Sequence, residues 1–178
     1  MSELTENIIE KSADHTEPLY EKFIIFSVLN KLYSFPSRLI GEIALFDTVY
    51  PLPLLPSFVL GVVNRYSVPY ALFDIGLLFF KTPVYSEPKK GDAVNTSRKK
   101  VLIFKDEVDK IAVLIDDVSG IIDIPKENIF PIERNLQTES VESNDITEAI
   151  SASFKWNDED IFIIDIHKIL TLTGGEIF

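Results

Sequence analysis

The sequence predicts an all-β protein built from two similar halves, and three observations carry that expectation. Short apolar runs recur along the 178 residues, bounded by turn-forming Asn, Asp, Gly and Pro. The runs are rich in β-branched and aromatic side chains, with 13 Phe against only 7 Gly, which suits pleated, packed strands. Finally, pieces of the first half return in the second. Phe23-Ile-Ile-Phe26 is echoed by Val101-Leu-Ile-Phe104, Leu39 to Ile43 by Asp117 to Ile121, and Tyr70 to Ile75 by Ile161 to Ile166. Each half is then a hairpin, a connection and a second hairpin, which suggests paired small β-barrels with short helical turns only.

Taken in order, residues 1–20 are acidic and polar and form an expected flexible lead-in. Phe23 to Leu29 alternates poorly, as a strand buried on both faces does. Asn30-Lys31 turns the chain into a returning strand, Leu32 to Phe35, which Pro36 ends. Ile40 to Phe46 is the next apolar segment, and Pro51, Pro53 and Pro56 punctuate an extended connection after it. From Pro56 to Leu78 the chain is almost continuously apolar and reads as buried strands about a polar turn, Asn64-Arg65-Tyr66-Ser67. Residues 81–100 turn polar and mark the boundary between the halves. Strands resume at Val101 to Phe104, Val108 to Ile115, Val118 to Ile124 and Ile129 to Ile132, followed by a polar stretch, Glu133 to Glu148. The last pair, Ser153 to Trp156 and Ile161 to Ile166, flanks an expected hairpin tip, Asn157 to Asp160. His167 to Leu172 is expected to form a short terminal helix stopped by Gly174-Gly175, ahead of a tail at 173–178.

Composition removes several classes of function. The chain has no cysteine, which excludes disulfides, thiolate nucleophiles and Cys-containing zinc sites and fits a reducing compartment. A formal net charge of −11 repels nucleic acid and anionic membranes at long range. The start of the chain lacks a basic region followed by an apolar core, and no run is long enough to span a bilayer, so a cytoplasmic protein is expected.

Chemistry-bearing constellations are also missing. Neither His15 nor His167 has a nucleophile and an orienting partner nearby in sequence, and no Gly-x-Ser-x-Gly elbow or phosphate-cradling glycine loop occurs. Asp116-Asp117, with Asp106, Glu107 and Asp109 nearby, lacks the ligand types and spacing of a metal site. No enzyme, metal or cofactor is expected. A polar cluster mounted between two buried strands suits recognition instead. Arg65 and Tyr66 are favoured interface anchors, although a plain surface turn with Tyr66 half packed satisfies the same residues.

With the strands placed, the chain resembles the CheW family of chemotaxis coupling proteins from about Phe23 to Leu170. The resemblance rests on the order and spacing of several pieces. These are Phe23 to Phe26, Tyr33 in the returning strand, Ile40-Gly-Glu-Ile43, the link ending in Pro53, Gly61-Val-Val-Asn64 and Leu72-Phe-Asp-Ile75. In the second half, Val113 to Asp116, Val118-Ser119 and Ile163 to Leu170 also match. It implies one domain over 21–172 made of two SH3-like five-stranded barrels with a shared core. The first would span about 30–80 and the second about 98–155, with the first and last strands exchanged between them. It also implies a non-enzymatic adaptor that links a chemoreceptor's cytoplasmic tip to the regulatory domain of the histidine kinase CheA. Ile40, Glu42 and Ile43 map to the receptor-facing groove, while by chemistry alone both isoleucines are core residues.

One segment departs from the family. The usual Asn-Leu-Arg-Gly is replaced by Asn64-Arg65-Tyr66-Ser67, so Tyr66 stands where the arginine is expected and Ser67 where the turn glycine is. Arg65 is expected to supply a guanidinium there only through a one-residue slip of the strand. The departure leaves room for a divergent scaffold serving another chemosensory pathway. A β-barrel module that binds a small molecule or peptide is the alternative from a different class.

Overall fold

A computed structural model describes residues 19–46, 48–84, 99–105, 108–132 and 145–172. Among the described residues, eleven strands are β1 (Tyr20–Val28), β2 (Lys31–Pro36), β3 (Ile40–Phe46), β4 (Val59–Arg65), β5 (Val68–Asp74), β6 (Lys99–Phe104), β7 (Ile111–Ile115), β8 (Asp117–Pro125), β9 (Phe130–Pro131), β10 (Ile150–Trp156) and β11 (Glu159–Ile164). The same residues hold three short α-helices, α1 (Ile75–Phe80), α2 (Asp145–Ala149) and α3 (Ile166–Leu172), and 3-10 turns at Ser37–Leu39 and Lys126–Asn128. The strands form a six-stranded sheet, β8-β1-β2-β11-β10-β9, and a five-stranded sheet, β3-β6-β7-β5-β4.

The two sheets are built alike. Reading β8-β1-β2-β11-β10 against β3-β6-β7-β5-β4 pairs β8 with β3, β1 with β6 and β11 with β5, the strands that echo one another in sequence. Phe26 lies opposite Val118 as Phe104 lies opposite Ile40, and Ile25 opposite Gly120 as Ile103 opposite Glu42. A bulge interrupts each ladder at the same place, at Ser119 and at Gly41. The parallel contacts agree too, since Phe162 and Ile163 face Tyr33 and Ser34 as Ala71 and Leu72 face Ile111 and Ala112. The sixth strand, β9, has a counterpart in a single antiparallel bridge between Tyr50 and Val62 at the edge of β4.

Sheet membership departs from the expected division at about 80–98 in one respect. The whole opening hairpin of each half, β1–β2 and β6–β7, inserts into the sheet of the other half, while β11 stays beside β10. Moving a complete hairpin preserves its turn and ladder, and it gives these four strands cover on two faces. In β1, Phe23 and Ile25 point into the interior of the six-stranded sheet with Phe154, Ile161 and Ile163. Ile24, Phe26 and Val28 point the other way, into a central cluster with Phe35, Phe73, Leu102 and Phe104. The five-stranded sheet encloses a third cluster around Val63, Leu72, Val101, Ile103 and Leu114.

Two helices replace expected strand or loop. The run from Pro56 was expected to stay extended to Leu78, but Asp74 ends β5 and begins α1. Its buried carboxylate accepts hydrogen bonds from Leu77 N at 3.0 Å and from Val84 N at 3.0 Å. Short polar side chains that cap backbone N–H groups override a β-rich local composition. Likewise α2 falls within the expected polar stretch, of which 133–144 lie outside the described residues, as do most of the lead-in and the Gly174-Gly175 stop. The terminal helix forms as expected, and it begins after Asp165, whose Oδ1 accepts from His167 N at 3.0 Å. The last hairpin turn is shorter than expected, with Asn157 and Asp158 alone outside the strands.

Asp74→Ala removes the buried acceptor of two half-buried N–H groups, so it should lower unfolding stability by about 2 kcal/mol. Urea denaturation followed by circular dichroism measures this, and a loss below about 0.5 kcal/mol, the size of a neutral surface change, would refute the capping role.

Candidate functional site

The five-stranded sheet curls so that its two edge strands, β3 and β4, face one another across a seam. At one end the seam is stitched by backbone. Tyr50 N donates to Val62 O and Val62 N to Tyr50 O, both at 2.8 Å. Gly61 makes this approach possible, because it has φ +137° and a Cβ there would come within 2.3 Å of Tyr50 O. The stitch is a single residue pair, and Pro51, with its fixed φ, follows it directly.

At the other end the seam is closed by charge. Arg65 leaves the last position of β4 and donates from Nε to Glu42 Oε2 at 3.0 Å, with a second bond from Nη2 to Oε1. Its guanidinium also lies 4.3 Å from the centre of the Tyr66 ring, and Nη2 reaches the Tyr66 hydroxyl at 3.0 Å. The two hydrogen bonds from Arg65 hold the Glu42 carboxyl below the ordinary glutamate range, and the bridge raises the arginine in return. Open troughs flank the bridge. One, of about 280 Å³, is lined by Ala44, Leu45, Val63, Asn64, Val101 and Ile103; the other, of about 360 Å³, by Gly41, Tyr66, Tyr70, Ile103, Phe104 and Lys105.

No strand slip is needed for Arg65 to bring a guanidinium here. The β4–β5 hairpin closes in register, Asn64 opposite Pro69 and Arg65 opposite Val68, with Tyr66 and Ser67 as a two-residue turn. Both turn residues have positive φ, 50° and 64°, the geometry of a type I′ hairpin that Asn-Gly fills best. A tyrosine in this conformation carries strain, and its side chain stays 79% exposed at the tip.

Of the six residues singled out in the sequence, Glu42, Arg65 and Tyr66 meet directly, and Asn64 borders the same seam. Ile43 stands exposed beside Glu42 on β3. Ile40 is the exception, since its side chain is 7% exposed and belongs to the central cluster. The bulge at Gly41 is the reason: it shifts the strand's alternation, so that Ile40 faces the central cluster and Ala44 the sheet's own interior. Sequence reading missed Leu45 and Tyr50, which add exposed apolar surface next to the seam. The proline after Tyr50 was their one signal, marking a strand interrupted after a single pair.

The acidic residues are held in other ways. Asp117 forms an ion pair with Lys100 and accepts from Val118 N at 2.6 Å, and its carboxyl is lowered first by that lysine. Asp106 and Glu107 lie outside the described residues. Among the described residues no three His, Cys, Asp or Glu side chains gather as metal ligands, and no helix is long and apolar enough to cross a membrane.

Fold and site together define a duplicated two-sheet β protein with an accessible, charge-stapled seam. A family model described as the CheW-like domain matches residues 22–173, and the chain belongs to that family of scaffold and adaptor proteins. The fold is also that of the crystal structure of the scaffolding protein TtCheW from Thermoanaerobacter tengcongensis. That likeness has a TM-score of 0.62 at 20% identity, covering 82% of this chain and 88% of the other.

Two outcomes test the seam. Glu42 is a depressed acid, so its stabilising bridge is complete above the ordinary glutamate pKa and is lost as pH falls through its lowered folded-state value. Glu42→Gln should therefore remove part of the acid-side fall in thermal midpoint, and an unchanged pH profile would count against the bridge. Ser67→Gly relieves a left-handed turn residue and should raise stability by about 0.5–1 kcal/mol in chemical denaturation, whereas a loss of that size would contradict the turn assignment.

Proposed function

We propose that the chain is a non-enzymatic adaptor that couples chemoreceptors to the histidine kinase CheA, working in the cytoplasm without cofactor, metal or nucleic acid. The observation that supports this reading best is the meeting of Glu42 on β3 with Arg65 and Tyr66 at the end of β4, on one exposed edge beside Ile43 and Asn64. A rigid turn that carries an arginine and an exposed tyrosine is the usual make-up of an interface anchor. Ile40 contributes from beneath, by fixing β3 against the central cluster. The receptor tip docks as a helix against the exposed side of β3, and the regulatory domain of the kinase takes a second face of the same chain. Control then passes as a coupling free energy between two partners, with no bond made or broken.

A second reading is that the partner belongs to a different chemosensory pathway, and the exposed Tyr66 in place of the family's arginine favours it. The seam troughs are open to solvent, which speaks for a macromolecular partner over an enclosed small-molecule site.

Calorimetric titration with the CheA regulatory domain and with a receptor tip from the same cell should give micromolar binding that Tyr66→Ala weakens about tenfold. Absence of binding to either partner would overturn the adaptor reading. Binding that appears only after Tyr66→Arg would favour the divergent pathway.

A further inference from the structure

We propose that Leu54, at the tip of the loop between β3 and β4, is a preformed anchor that enters an apolar pocket of a partner protein. This rests on the reading of the seam face as a partner contact, and it adds an anchoring residue and the chemistry of what receives it.

Leu54 is disfavoured twice over. Its side chain is 102% exposed, the most of any large apolar residue among those described. Its backbone has φ +64°, a left-handed conformation that costs a leucine energy and that Asn or Gly adopts readily. Pro53 and Leu54 form the centre of a turn, and a positive φ directly after a turn proline is the position that Gly or Asn ordinarily fills. Neither burial nor local conformation accounts for a leucine here. Strain of that kind persists where a surface is used.

The loop is also held firmly. Tyr50 and Val62 bond each other across its base, Val59 N donates to Pro56 O at 2.9 Å, and Asp74 N donates to Phe58 O at 2.8 Å. Leu55 and Phe58 pack against the central cluster, with the Phe58 and Phe73 rings 6.0 Å apart. Pro51, Pro53 and Pro56 fix three more φ angles. The loop therefore turns Leu55 and Phe58 inward and leaves Leu52 and Leu54 outside. A segment braced in this way loses little freedom when it binds, which suits an anchor.

Charge defines what receives it. No residue from Thr48 to Phe58 is charged, although the chain as a whole carries −11. The pocket that suits Leu54 is thus uncharged and the size of one leucine side chain. A second copy would bring another −11 and be repelled. Lipid headgroups are met by loops that set cations beside their apolar residues, and this stretch has none. A pocket on a different protein remains. Leu45 and Tyr50 line the trough beside the Arg65–Glu42 bridge, so the exposed apolar surface of the loop is continuous with the seam.

Leu54→Asn separates anchoring from folding, because Asn suits the left-handed backbone and removes the apolar side chain. The full-length variant should keep or raise its midpoint in chemical denaturation. In calorimetric titration it should bind a CheA regulatory domain or a receptor tip about tenfold more weakly than the unmodified chain. Leu54→Met, which keeps an apolar side chain of similar volume, should stay within about twofold. A lowered midpoint for Leu54→Asn, unchanged binding, or an equal loss in Leu54→Met would overturn the proposal. So would self-association, or co-sedimentation with phosphatidylcholine vesicles, that Leu54→Asn abolishes, since either assigns the loop to another occupant. Binding weakened by Tyr66→Ala but not by Leu54→Asn would remove the anchor and leave the contact face standing. No binding of either partner by the unmodified chain would instead remove the adaptor reading, and the anchor with it.

Discussion

The structure depends on one constraint, that the opening hairpin of each half is buried on both faces. β1–β2 and β6–β7 each lie inside the sheet of the opposite half, so the two halves cannot separate without opening both sheets. Phe26, Phe35 and Phe104 pack together where the exchanged hairpins meet, with ring centres 5.1 and 5.0 Å apart. Burial of that kind is the main source of stability in a domain of this size. It also leaves the edge strands β3 and β4 on one side, and β8 on the other, free to specialise.

The specialisation is unequal. Two seams that occupy equivalent places, with the same ladder register and the same two-residue turn beside them, are closed by different chemistry. The six-stranded sheet brings Trp156 over Gly120, an apolar contact that adds to its core. The five-stranded sheet uses Arg65 and Glu42, a half-exposed ion pair of the kind that contributes little to net stability. A strained tyrosine at the adjoining turn adds cost with no packing in return. Features that stabilise little and are held rigidly are what a recognition surface looks like from the standpoint of folding energetics.

Much of the fold was legible because strand patterning and the repeat are local signals. The echo between Leu39–Ile43 and Asp117–Ile121 places residues that occupy matching positions in the two ladders. The exchange of whole hairpins was not legible in full, since apolar runs reveal that a strand is buried on both faces and not which sheet covers it. α1 was missed because Asp74 acts through its caps, against the β-rich composition around it. At the site, Glu42, Arg65 and Tyr66 were picked out separately by chemistry and resemblance. Their union was hidden, because an arginine's reach across a seam leaves no trace in spacing. Ile40 lies in the core, as its chemistry alone implied and against the groove position that the resemblance implied, because a single-residue bulge at Gly41 reverses which face a side chain takes.

The most direct test of the seam as the proposed partner-binding face is a hydrogen-exchange footprint of the chain with and without each proposed partner, a CheA regulatory domain or a receptor tip. Protection concentrated on β3, β4 and the Arg65–Val68 turn is the predicted result. Protection confined to β8, β10 and the Trp156–Glu159 turn, with the first seam unchanged, would contradict it.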